Sequence, residues 1–122
     1  MIVAGFGFRS AASADSLREA FARAIGAGTA DALATAADKA RGDVFQALAS
    51  ALDLPVFGID PETLSRMETH TKSEASWAAQ RSSSLAEAAA LAAAGPNARL
   101  LTARVVSSDR MATCAIAFGD SE

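Results

Sequence analysis

Apolar positions follow two rhythms along the chain. Met1–Phe6 (MIVAGF) is a short apolar run in which β-branched Ile2 and Val3 predict a buried strand, punctuated by Gly5 and Gly7. The period then lengthens. Leu17, Ala20, Phe21, Ala24 and Ile25 recur at helical spacing while Arg18, Glu19 and Arg23 face the other way, with Ser13 as the expected N-cap and Gly26 and Gly28 as the stop. Residues 32–37 are a weak strand candidate, because only Leu33 and Thr35 carry strand character among alanines. Asp43 is expected to cap a second helix to Leu52, with Val44, Leu48 and Leu52 inward. LPVFGI, residues 54–59, is an apolar run ahead of an Asp60-Pro61 helix start. Residues 73–80 read as helical around Trp77. Ser84 and Glu87 match a capping box before a helix over 85–94, which stops at Gly95-Pro96. Two last runs, Leu100–Val106 and Met111–Phe118, read as strands joined by SSDR at 107–110, a closing hairpin.

The order is βαβαβ, then helices, then a hairpin. Alternation of strand and helix calls for parallel strands with right-handed crossovers, and the hairpin adds an antiparallel edge. The expected fold is a single three-layer α/β domain over residues 1–122, with a mixed, mostly parallel sheet of about five strands. Composition adds one constraint. Of 122 residues, 32 are alanine, so the core must lean on its few larger side chains and use alanine where helices approach closely.

Charge and special residues narrow the function classes. The net charge of −3, with acids and bases interspersed, argues against nucleic acid as a partner. With no tyrosine and one tryptophan, an aromatic platform for single strands is also unexpected. No apolar run reaches the roughly 18 residues of a membrane span, and MIVAGFGF has no basic leader, so a cytoplasmic location is expected. A single cysteine, Cys114, allows no internal disulfide and no cysteine-built zinc site. No metal or cofactor is expected, and a small molecule or another protein is the expected partner.

Candidate chemistry gathers where parallel strands end, since ligands of such sheets bind beyond the carboxyl ends. That edge would collect residues 5–10 (GFGFRS), then Asp38 and Lys39, then Gly58 and Asp60. Gly5 and Gly7 would let a ligand approach the main chain, the helix start would supply free N–H groups, and Arg9 offers a fork for a carboxylate or phosphate. The plain alternative is a tight strand-to-helix connection with Arg9 in water. On pattern alone both readings stand. A dinucleotide fingerprint is incomplete, since Ser10 stands where a third glycine belongs, and no G-K-[ST] marks a P-loop. His70 reads as an ordinary loop residue, Cys114 as a small buried hydrophobe, and Ser84 with Glu87 as a helix cap. Arg104 is unusual on an apolar strand and must find water or an acid. No complete catalytic set is legible.

Taken in order, GFGFRSAASADSL at 5–17, T-x-x-x-K at Thr35 to Lys39, T-x-S-E at Thr71 to Glu74, SLAEAAALAAAG at 84–95 and ATCAIA at 112–117 resemble the CobE/CbiG C-terminal domain family of cobalamin biosynthesis. The resemblance implies a corrinoid or precorrin intermediate as partner, with other enzymes of the pathway as further candidates. Such macrocycles are fringed with acetate and propionate groups, which suits an arginine and lysine edge. It carries over to Gly5, Gly7, Arg9, Ser10, Thr35, Lys39, Thr71, Ser73 and Arg104 as substrate-binding residues. The larger CbiG proteins open a lactone and release acetaldehyde, whereas the stand-alone form implies a carrier or accessory. Three activities therefore stay open: corrinoid carrier, lactone hydrolase, and non-catalytic scaffold. Departures from the family pattern are Lys72 for a proline, Gly42 where an acid is common, Arg81 and Ser83 in a segment that usually contains glycine, and Arg104 for a lysine. The missing acid weighs against acid–base hydrolysis.

Overall fold

The structure, a computed structural model, describes residues 1–9, 11–64, 84–95 and 98–119. Its elements are β1 (Ile2–Phe8), α1 (Ala14–Ile25), β2 (Ala32–Ala36), α2 (Ala37–Ala40), α3 (Asp43–Leu52), β3 (Val56–Ile59), α4 (Ser84–Ala94), β4 (Arg99–Val106) and β5 (Ala112–Phe118). The helix expected around Trp77 lies outside the described residues, as does His70.

The five strands form one sheet in the order β3-β2-β1-β5-β4. β1 pairs with β2, and β2 with β3, in parallel; β5 runs antiparallel to β1, and β4 antiparallel to β5. Four strands thus point one way, as expected of a mixed, mostly parallel sheet. The hairpin docks against β1 and makes it the central strand. α1 and α3 cover one face and α4 the other, which gives the three layers.

The two faces of β1 have different chemistry because side chains alternate along a strand. Phe6 and Ala4 point toward α1 and α3, where Phe6, Phe45, Leu17, Leu33 and Leu48 are fully buried. Phe6 meets Phe45 edge-on with ring centroids 5.4 Å apart, and Phe8 stacks on Phe45 at 5.9 Å. On the other face Val3 is followed by Gly5 and Gly7, and α4 lies directly on this smooth surface through Ala86, Ala89, Ala90 and Ala94. A Cβ at Gly5 would stand 2.2 Å from the Ala86 carbonyl oxygen and 2.5 Å from the Ala90 nitrogen. This close approach explains the alanine-rich helix.

Several boundaries differ from those the pattern predicts. Both glycines lie inside β1, not at its end, because the strand continues to Phe8 against β5. Gly42, not Asp43, is the N-cap of α3; Asp43 is the first helical residue, where its charge favours the helix dipole. Phe45, Leu48 and Ala49 are buried there, while Val44 and Leu52 are only half-buried. α2 has no counterpart in the reading, since four residues are too few to show a helical period. Ser13 does cap α1, accepting from the Ser16 amide at 3.2 Å, and Gly26 ends that helix with φ +58°.

Candidate functional site

β2 stops pairing with β1 at Gly5, yet β1 runs three residues further. Its last carbonyls accept from side chains. Thr35 Oγ1 donates to the Phe6 oxygen at 2.9 Å, Thr113 Oγ1 to the Gly7 oxygen at 3.2 Å, and Lys39 Nζ to the Phe8 oxygen at 2.8 Å. Buried carbonyls need such partners. Lys39 Nζ also sits 4.9 Å from the centre of the Phe8 ring, a cation–π contact. Thr35, fully buried, and Lys39 therefore build the end of β1.

Beside that end opens a cleft of about 390 Å³, bounded by β1, the β4–β5 hairpin and the first turn of α4. Gly7, Leu85 and Thr113 form its floor; a Cβ on Gly7 would come within 3.1 Å of Thr113 Oγ1 and 3.3 Å of Leu85 Cδ2. Three arginines, Arg9, Arg104 and Arg110, reach its walls. Arg9 follows β1 directly, its amide donating to the Met111 oxygen at 2.9 Å. Among the described residues none of the three guanidinium groups has a carboxylate partner, and the ion pair present, Arg23 with Glu19, lies on α1.

Arg104 owes its position to an irregular β4, whose register against β5 shifts between Leu100 and Thr102 and again between Thr102 and Val105. The Arg104 amide, freed from the ladder, donates to Glu87 Oε2 at 3.2 Å. Glu87 is thus a brace from α4 to β4; the Ser84 side chain of the expected capping box lies outside the described residues.

Arg110 sits in the hairpin turn with φ +62°, its amide donating to the Ser107 oxygen at 2.9 Å. The turn is tied down by Asp109. Oδ1 accepts from Ser107 Oγ at 2.6 Å and the Met111 amide at 3.0 Å, and Oδ2 from Ser16 Oγ at 2.5 Å. These donors hold the Asp109 carboxyl below the usual aspartate range, Ser107 contributing most. Ser108 adds two bonds to Glu19, from its amide at 3.1 Å and its hydroxyl at 3.0 Å. The hairpin turn is therefore clamped to α1.

Of the residues expected to bind, Gly7, Arg9 and Arg104 come together in the cleft. Lys39 stands at the same end of β1 but against Phe8, on the α3 side. Thr35 and Gly5 are enclosed, Gly5 beneath α4; Ser10, Thr71 and Ser73 lie outside the described residues. Sequence reasoning passed over Arg110, taking SSDR only as a turn. An arginine at a hairpin position that favours glycine or asparagine was the available signal. Cys114 is buried in β5, and desolvation pushes its thiol up, out of reactive range. Among the described residues no group of acids, cysteines or histidines suits a metal ion, and no helix is long and apolar enough to cross a membrane.

Residues 2–117 match the family described as cobalamin synthesis G C-terminus. Among solved structures, CobE, a protein from the cobalamin (vitamin B12) biosynthetic pathway, is similar with a TM-score of 0.78 and 34% identity, over 96% of this chain and 89% of that one. The cobalamin biosynthesis protein chiG from Agrobacterium tumefaciens str. C58 is similar with a TM-score of 0.78 and 36% identity, over 99% of this chain and all of that one. A putative cobalamin biosynthesis protein G homolog from Sulfolobus solfataricus shares the fold, with a TM-score of 0.69 at 17% identity, over 99% of this chain and 37% of its own length. No curated protein matches the chain by sequence.

Proposed function

The chain belongs to the cobalamin synthesis G C-terminal family, and so to cobalamin biosynthesis; from that premise we propose that it binds a corrinoid intermediate, as a carrier or accessory to the pathway's enzymes. One observation supports this above others. Arg9 and Arg104 stand at a single cleft without carboxylate partners among the described residues, in a chain whose net charge is −3. Unpaired guanidinium groups concentrated against an overall acidic background favour an anionic guest, and a carboxylate matches their fork geometry. Corrinoid intermediates carry acetate and propionate groups around the ring. Among the described residues, the cleft wall offers hydrogen-bond donors and apolar surface but no carboxylate or histidine, which supports binding over hydrolysis.

The test is a titration of the purified protein with cobyrinic acid, a free-acid corrin, followed by its visible spectrum. A saturable change at micromolar concentration is expected. Replacing both Arg9 and Arg104 by alanine should weaken it by about a hundredfold while leaving the thermal midpoint near that of the parent. Absence of any saturable change would overturn the reading. Acetaldehyde released from a lactone-bearing intermediate by this protein alone would replace it with the hydrolase reading.

A further inference from the structure

Arg110 occupies a place where its backbone is disfavoured. At φ +62° an L side chain crowds the following carbonyl, at a cost of roughly 1–2 kcal/mol, and glycine or asparagine normally fills such a hairpin position. Strain retained at one residue is a pointer to use at that residue. Nothing in the turn itself requires a guanidinium. The hydrogen bond that closes the turn uses only the Arg110 amide, and the clamp to α1 runs through Asp109 and Ser108. Arg110 instead lines the cleft together with Arg9 and Arg104, and its guanidinium has no carboxylate partner among the described residues.

We propose that Arg110 is a ligand-binding residue, the third member of a guanidinium set that takes free carboxylates along one edge of the guest. The proposal rests on the corrinoid reading above and specifies which part of that guest is recognised. At about 390 Å³ the cleft is near the small end of ligand pockets, roughly 300–1,000 Å³, so it receives an acid-bearing edge while the rest of the ring stays outside. Three forks from β1, β4 and the hairpin turn require separate carboxylates on neighbouring positions of the rim. A neutral ester of the same ring offers no charge to match them and only a weaker acceptor. The Asp109 and Ser108 bonds fix the turn before the ligand arrives, so little ordering is left for binding to supply.

The experiment compares cobyrinic acid with its methyl ester, which keeps the same chromophore, on the parent protein and on Arg110→Gly. Glycine removes the guanidinium and relieves the backbone, so the variant should fold with a thermal midpoint at or above the parent's. Expected results are preference for the acid over the ester, loss of acid affinity by about tenfold or more in Arg110→Gly, and weakening of parent binding as salt is raised. Equal binding of acid and ester, or unchanged affinity in Arg110→Gly, overturns this proposal and leaves corrinoid binding standing. A lower midpoint in Arg110→Gly assigns Arg110 to the stability of the turn and also overturns it. If neither probe binds the parent, the corrinoid reading itself falls.

Discussion

At Gly5 the main chain of β1 lies directly under α4, and the space for a side chain is already taken by backbone atoms of that helix. Those atoms have no rotamer to change, so an added methyl can be housed only by moving the helix away from the sheet. Gly5→Ala should therefore destabilise by about 3 kcal/mol, lowering the thermal midpoint by roughly 10 °C in a calorimetric scan. A midpoint unchanged within error would mean that α4 does not press on β1. Gly7 is a different case, since its missing side chain keeps the cleft floor open beside Thr113 and Leu85. Both positions read from sequence as one G-x-G turn. A glycine that borders a cleft and a glycine that receives a helix are the same letter, and the helix that distinguishes them lies about 80 residues away.

The β4–β5 hairpin shows how one element is held by another far along the chain. Asp109 accepts from Ser107, Ser16 and the Met111 amide, so its ionised form is favoured in the fold relative to the unfolded chain. A carboxyl whose folded pKa is depressed adds stability above its unfolded pKa and loses it as pH falls through the folded one. Asp109→Asn should lower the urea midpoint at pH 7, and the gap to the parent should close as pH is brought below the ordinary aspartate range. A gap that persists unchanged in acid would point to packing and not charge. The hairpin itself was legible, because two apolar runs flank a polar four-residue turn. So was α1, whose cap and apolar face are local. The contact of Glu87 with β4 was not legible: its spacing from Ser84 suggests a capping box, and only the irregular course of β4 reveals the Arg104 amide as a partner.

At the scale of the molecule, β1 divides a thick aromatic layer from a thin alanine layer, and β5 lies beside it with Cys114 facing the aromatic side. Burial keeps that thiol protonated and covered, so it reacts only when the core opens. Labelling with a disulfide reagent at pH 8 should be slow in the folded protein and prompt in denaturant. In Gly5→Ala it should accelerate in step with the lost stability, roughly 150-fold for about 3 kcal/mol. Complete labelling of the folded parent within seconds would contradict the burial. The same arrangement sets the cleft: β1 and β4 end on the same rim, and the hairpin turn rises beside them with its arginine.

From sequence alone came the order of strands and longer helices, the α/β class, the closing hairpin and the core positions of β1 and α1. These follow from periodicities of 2 and 3.6 residues, which are local properties of a chain. Arg9 and Arg104 were also picked out, as cations next to apolar strands. Only the tertiary structure decided that the hairpin docks on β1, that α4 fills the space over Gly5, and that Arg110 joins the other two arginines. Each depends on which distant segments meet, and that is settled by packing over the whole sheet, where no short stretch of residues carries the information.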